Sequence, residues 1–277
     1  MTSQVPGITL PDHALETALD LAHRAGTLLR EKLHEPRSVT HKGQVDLVTD
    51  ADRASEILVA TGLREAFPDH RLIGEEGSRG ATDSPWGWVI DPLDGTTNYA
   101  HRYPHFAVSI GLEYEGEPVL GVVYDPMRDE TFRAVKGGGA FVNATPLHVS
   151  DIDQLIDSLL TTGFSYQIAE RDESYQLWPI INNNAQSVRR DGSAALDMCY
   201  VAAGRLEGFY ELPVNAWDIG AGAIIVREAG GTVTNYDGSP FGLYDGQVIA
   251  TNGHIHTQLV DIIQQSLATI REASRKA

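Results

Sequence analysis

The stretch Asp91-Pro92-Leu93-Asp94-Gly95-Thr96-Thr97-Asn98 places two carboxylates three residues apart, directly after the apolar run Trp88-Val89-Ile90. Asp91 stands where a strand should end, and Pro92 discourages a helix from starting at once. A turn at this point folds Asp94 back beside Asp91. Carboxylates held so close repel one another, and shared divalent cations relieve that repulsion. Hard oxygen donors suit Mg2+ or Mn2+. Gly95 lets backbone approach a ligand closely, and the amides of Gly95, Thr96 and Thr97 can face a phosphate. Asp and Gly alone would make an ordinary turn. Pro92, Thr96 and Thr97 shift the reading to a metal and phosphate loop.

Other polar positions carry little when taken one at a time. Glu75-Glu76-Gly77 reads as a solvated acidic loop after the strand Arg71 to Gly74. Asp218 precedes the apolar helix Ala223 to Val226 and reads as an N-cap. Asp52 lies three residues after Thr49 and fits a capping box. Lys42 reads as an exposed lysine, and Glu211 as an acid ending a strand. His101 and His105 read as surface or packing residues.

The elements that must position these groups follow from periodicity. Leu15, Ala18, Leu19, Ala22, Leu29 and Leu33 recur at helical spacing, with Asp12 as the expected cap. Gly43 and Gln44 to Val48 predict a turn and a brief strand. A second helix starts near Thr49 and stops before Pro68. Strands are expected at Arg71 to Gly74, Trp86 to Asp91, Phe106 to Tyr114, Val119 to Tyr124 and Glu130 to Val135. Glu115-Gly116 and Asp125-Pro126 supply turns between them, and Gly137 to Gly139 end the run. Further strands are expected at Ser158 to Thr162, Ser187 to Arg190, Phe209 to Leu212 and Val248 to Ala250. Helices are expected at Arg171 to Asn183, Ser193 to Ala203, Asp218 to Ala229 and Ile255 to Arg271. A strand-rich first half and an alternating second half predict layered sheets and helices, an α+β or α/β arrangement. Residues 1–150 form the half with the metal loop, and residues 151–277 complete the site, with a seam around Val149 to Leu155.

Composition narrows the function. Asp and Glu total 38 against 21 Lys and Arg, a formal net charge of −17. That balance argues against nucleic acid, whose nonspecific binding depends on basic side chains. A small phosphate ester is compatible, because bound cations reverse the field of an acidic pocket. Cys199 is the single cysteine, so no internal disulfide exists, and its apolar setting predicts a buried inert thiol. No apolar run is long enough to span a bilayer. Met1 to Pro11 lacks a basic region followed by an apolar block, so no secretory signal and a cytoplasmic location are expected.

Taken in order, Lys42, Asp46 and Asp52, then Ile73-Gly74-Glu75-Glu76, then Asp91 to Asn98, then Trp217-Asp218 resemble the inositol monophosphatase family. The resemblance covers nearly the whole chain. It includes Asp46-Leu47-Val48-Thr49, Phe106-Ala107-Val108-Ser109-Ile110, Gly121-Val122-Val123-Tyr124, Gly192-Ser193-Ala194-Ala195 and Arg227-Glu228-Ala229-Gly230-Gly231. It is nearest to bacterial members.

The resemblance implies a layered αβαβα sandwich, commonly dimeric, that hydrolyses inositol monophosphate with Mg2+. It implies that Glu75, Asp91 and the carbonyl of Leu93 hold one metal, and that Asp91, Asp94 and Asp218 hold a second. A third, weaker ion belongs near Glu75. Asp52 and Thr96 correspond to the pair that orients the attacking water, with Glu75 counted in the catalytic set. Asp94, Gly95, Thr96, Ala194 and Glu211 correspond to the substrate contacts. Lithium sensitivity is also implied. Specialists for sulfur-assimilation nucleotides and histidinol phosphate often carry Lys where this chain has Thr97, so the loop favours inositol phosphates. Fructose 1,6-bisphosphate and NADP stand as alternatives. Asp191 beside the basic pair Arg189-Arg190 opposes a second phosphate. A catalytically idle, partner-binding member would have lost a metal ligand, and every matched acid is present.

Overall fold

Trp88 and Ile90 pack on one side of their strand and Val89 on the other, and the same alternation runs through both sheets of the protein. The computed structural model describes residues 4–5, 8–35, 39–41, 47–75, 77, 83–165 and 172–276. Lys42, Gly43, Asp46, Glu76 and Arg171 therefore lie outside the described residues, as does most of the strand expected at Gln44 to Val48.

In chain order the elements are β1 (Gln4–Val5), β2 (Ile8–Thr9), α1 (Ala14–Lys32), β3 (Val39–His41), β4 (Leu47–Thr49), α2 (Asp50–Ala66), β5 (Arg71–Gly74), β6 (Trp86–Asp94) and α3 (Thr96–Ala100). Next come β7 (Ala107–Tyr114), β8 (Glu117–Asp125), β9 (Glu130–Val135), β10 (Ala140–Val142), β11 (Thr145–Pro146), a short 3-10 turn, β12 (Leu159–Thr162) and α4 (Asp172–Asn184). The chain continues through β13 (Ser187–Arg189), α5 (Ala194–Ala202), β14 (Gly208–Glu211), α6 (Ala216–Glu228), β15 (Thr232–Thr234), β16 (Val248–Thr251) and α7 (His256–Lys276).

Two mixed sheets organise these pieces. One has the order β11-β10-β9-β8-β7-β6-β5, the other β13-β12-β14-β16-β15. Helices α1 and α2 cover the outer face of the first sheet, against Trp88, Ile90, Ile110 and Leu112. Helices α5 and α6 fill the space between the sheets, where Val89, Val123 and Phe132 meet Phe209, Val248 and Ala250. Helices α4 and α7 cover the far face, against Leu160, Val188, Tyr210 and Ile249. The result is the αβαβα layering. Helix α6 approaches the first sheet so closely that a Cβ on Gly121 would run into the carbonyl of Ala221.

Most expected elements are present, and several details differ. Asp12 does not cap α1. His13 takes the N-cap position in a left-handed conformation, φ 60°, with no side-chain cap. Asp218 is the third residue of α6 rather than its cap, because the helix begins two residues earlier at Ala216. Strands β1, β2, β3, β10, β11 and β15 carry too few residues for an apolar period to stand out, and they escape a sequence reading. The last helix runs on to Lys276, since no Gly or Pro stops it. None of the described helices is long and apolar enough to cross a membrane.

Candidate active site

The acidic loop is not a turn. Strand β6 runs through Pro92 to Asp94, and its pairing with β7 shifts between Asp91, opposite Ser109, and Asp94, opposite Ala107. Three steps on one strand thus match two on the other, which is a β-bulge. In a regular strand, residues three apart point to opposite faces. The extra residue restores Asp94 to the face of Asp91, and a bulge is also where a sheet tolerates proline. Asp91 and Asp94 are both buried.

Each acid is held by its own surroundings. Asp91 Oδ1 accepts the Leu93 N–H at 3.0 Å. Asp94 Oδ2 accepts the Ser193 hydroxyl at 2.6 Å and the Ala195 N–H at 2.8 Å, at the start of α5. Asp218 Oδ2 accepts the Asn215 N–H at 2.8 Å, and the preceding carbonyl of Trp217 accepts from Ser109 in β7. Glu75 follows β5, with its N–H donated to the carbonyl of Ile90 in the neighbouring strand, one residue before Asp91. Asn98 Nδ2 donates to the carbonyls of His105 and Asp191, both at 2.8 Å, which ties the loop to the second half of the chain. Gly95, at φ 97°, turns β6 into the short helix α3. A Cβ there would press on the carbonyls of His105 and Gly192.

Thr49 and Asp52 form the expected capping box. Asp52 Oδ2 accepts the Thr49 N–H at 2.8 Å and the Thr49 hydroxyl at 2.5 Å. Its other oxygen, Oδ1, accepts the Thr96 hydroxyl at 2.8 Å, and the Leu93 carbonyl lies 3.1 Å from the same hydroxyl. Asp52 therefore serves as a helix cap and as the partner of Thr96 at once. Ser55 in the same helix donates to the Pro92 carbonyl at 2.7 Å, fixing α2 against the bulge.

Electrostatics set the cluster apart. Burial pushes Asp91 well above the usual carboxylate range, and Glu75, Asp94 and Asp218 push it further. Burial raises Asp94 to about 6, against the Ser193 hydroxyl, the amides of Ala195 and Ala194, and the Arg190 guanidinium. Asp218 is raised well up by burial and by Asp94. Burial also raises Asp52, against the hydrogen bonds from Thr49 and Thr96. Such a cluster ionises fully only with positive charge among its members. The donors are all oxygen, which fits Mg2+ or Mn2+ and not a softer metal. Among the described residues, no three His, Cys, Asp or Glu side chains are drawn together tightly enough to cage an ion as they stand.

A small pocket opens from the acids, lined by Asp94, Ser193, Ala194, Glu211 and Asp218, with Arg190 and Phe164 among its walls. Of the expected site residues, Asp94, Ala194, Glu211 and Asp218 share this pocket. Asp91 and Glu75 join them electrostatically, and Thr96 joins through Asp52 and Leu93. Burial raises Glu211 to about 8, with Arg190 opposing and Asp94 reinforcing. Arg190 faces these acids although Asp191 follows it. Ser193, the N-cap of α5, had no assigned role in the sequence reading, and Arg190 figured there only in the basic pair weighed for a second phosphate. Gly192-Ser193-Ala194-Ala195 was the available signal for the first. His105 is buried and His101 exposed, and Cys199 is buried, its thiol pushed well up by burial.

With this geometry in view, the comparisons with known proteins agree. Residues 10–268 match the model of the inositol monophosphatase family. The chain is 45% identical to an inositol-1-monophosphatase of Synechocystis over 248 residues, covering 88% of this chain and 86% of that one. It is 41% identical to the Nus factor SuhB of Escherichia coli, covering 87% and 92%. The solved structure of an inositol monophosphatase from Anabaena (Nostoc) superposes with a TM-score of 0.81 at 43% identity, covering 91% of this chain and 96% of that one. The fold and site define a metal-dependent phosphoric monoester hydrolase. The chain belongs to the inositol monophosphatase family.

Proposed function

We propose that this protein hydrolyses inositol monophosphate to inositol and inorganic phosphate in a Mg2+-dependent reaction, with water as nucleophile. The observation that carries the mechanism is the contact of the Thr96 hydroxyl with Asp52 Oδ1 at 2.8 Å, beside the buried acids of the bulge. Glu75, Asp91, Asp94 and Asp218, with the Leu93 carbonyl, would hold two or three Mg2+ ions, and Mn2+ suits the same donors. When bound, the cations supply Lewis-acid chemistry: they draw charge from the phosphoryl group and lower the pKa of water.

The chain's own residues do the rest. The Thr96 hydroxyl donates its hydrogen bond to Asp52, so its oxygen lone pairs accept an O–H of the attacking water and aim it at phosphorus. Asp52, raised by burial, is suited to take up a proton passed along this line. Glu75 belongs to the same catalytic set. The turn at Gly95 and Thr96 brings backbone amides to the phosphate. Ala194 and Glu211 receive the alcohol, whose buried hydroxyls need acceptors.

Residues 1–150 supply the bulge, Thr96 and Asp52, and residues 151–277 complete the pocket with Ala194, Glu211 and Asp218. A homodimer, a cytoplasmic location and sensitivity to Li+ belong to this reading. The decisive experiment is a phosphate-release panel with Mg2+ over inositol 1-phosphate, fructose 1,6-bisphosphate, NADP, histidinol phosphate and adenosine 3′,5′-bisphosphate. Inositol 1-phosphate should lead the panel, and EDTA should abolish release. Full activity after exhaustive chelation would overturn the metal mechanism. A bisphosphate or NADP in first place would overturn the substrate assignment.

A further inference from the structure

Phe164 lines the pocket that holds Asp94, Ala194 and Glu211, and it does not stand alone. Its ring meets Tyr175 edge-on, with centroids 4.9 Å apart, and Trp178 edge-on, with centroids 6.5 Å apart. Tyr175 and Trp178 sit three residues apart in α4, so they share one helix face. That face is not buried in the core: Tyr175 is 47% and Trp178 40% exposed. An unbroken aromatic surface thus runs from the substrate pocket out onto α4. The same helix is anchored to the pocket wall, because the Ser174 hydroxyl donates to the Leu212 carbonyl at 2.9 Å, one residue past Glu211.

A compact polyol ester fills the inner pocket, where Glu211 and Asp94 accept its hydroxyls. It gives the two exposed rings, Tyr175 and Trp178, nothing to do. Rings in this arrangement bind planar groups through edge and face contacts, with large apolar area and little entropy to lose. We propose that Phe164, Tyr175 and Trp178 form an aromatic subsite through which the enzyme accepts phosphate monoesters whose alcohol carries an aromatic ring. The occupant is the leaving group of a substrate, since the surface is continuous with the reacting pocket through Phe164. The chemistry is that of the proposed reaction, on which this inference rests. Water oxygen joins phosphorus, the ester O–P bond breaks, and the departing oxygen leaves with a proton as the free alcohol or phenol.

The test compares 1-naphthyl phosphate with inositol 1-phosphate in the wild type and in Trp178→Ala, Trp178→Phe and Tyr175→Leu. The expected result is a rise of about tenfold in KM for 1-naphthyl phosphate in Trp178→Ala and Tyr175→Leu, with kcat held. Trp178→Phe should restore most of the loss, and kcat/KM for inositol 1-phosphate should stay within about twofold throughout. Equal losses on both substrates, or an unchanged KM for 1-naphthyl phosphate, would overturn the subsite. Equal losses together with a dimer falling to monomer in light scattering would assign the surface to a second copy of the chain instead. A wild type that hydrolyses 1-naphthyl phosphate in the expected pattern but not inositol 1-phosphate would overturn the inositol reading and leave the subsite standing. A wild type inactive on both would overturn the two together.

Discussion

The carboxylate of Glu211 lies directly against the backbone of Gly163, in the space where a Cβ on that glycine would stand. Gly163 directly follows β12, and Glu211 ends the neighbouring parallel strand β14. Glycine at position 163 therefore seats the acid proposed to receive the alcohol. The group in the way is the far end of a flexible side chain and not backbone. A methyl there should move the carboxylate and spare the fold.

Gly163→Ala should thus lower kcat/KM for inositol 1-phosphate by about tenfold, with the melting temperature nearly unchanged. Glu211→Gln should cost about 1–3 kcal/mol in the same quantity, the cost of leaving a buried hydroxyl without its acceptor. The double variant should be little worse than the worse single one, because both changes act on one contact. Full additivity in steady-state kinetics would show that Gly163 and Glu211 act separately.

Thr96 and Asp52 should separate in their effects. Thr96→Ala removes the hydroxyl that positions water and should lower kcat by at least about a hundredfold, with circular dichroism and melting preserved. Asp52 also caps α2 through Thr49. Asp52→Ala should lose activity and, in addition, about 1 kcal/mol of stability. A Thr96→Ala protein that melts early but turns over normally per folded molecule would remove Thr96 from the catalytic set.

Metal binding should release protons. Asp94 keeps its proton up to about pH 6 in the folded protein without cations, and near 3.8 when unfolded. Between those values the folded state binds more protons, so the stability without metal falls as pH rises through that window. Above about 6 the full penalty remains until a cation neutralises it. The gain in melting temperature on replacing EDTA with Mg2+ should therefore be larger at pH 7 than at pH 5. Calorimetric titration of Mg2+ at pH 6 in buffers of different ionisation enthalpy should show net proton release. A pH-independent gain without proton release would count against the carboxylate cluster as the metal site.

Lithium offers a fourth check. Li+ can replace a divalent ion among these oxygen donors but brings a single charge. It should hold phosphate product while stabilising a departing alkoxide poorly. Uncompetitive or mixed inhibition by millimolar Li+ is the expected kinetic pattern, and turnover indifferent to it would argue that the ion sites differ from those proposed.

Much of this was legible along the chain because it depends on local spacing. Apolar residues at helical period place α1, the start near Thr49 and the stop before Pro68 place α2, strand and turn residues place β7 to β9, and Thr49 with Asp52 spells a capping box that the structure contains. Order along the chain also identifies the family, since Glu75, the Asp91 to Asn98 loop and Trp217-Asp218 occur in sequence. Tertiary structure decided what depends on pairing between distant strands. Asp91 and Asp94 share a face because β6 gains one residue against β7, a matter of register that no property of residues 91–94 alone specifies. The Thr96–Asp52 contact spans 44 positions, and the clamp of Ser193 on Asp94 spans 99. Phe164, Arg190 and Gly163 owe their places to the packing of β12, β14, α4 and α5. Sequence period reports which face a residue takes within its own element, whereas the partner across the gap is chosen by how the layers close over one another.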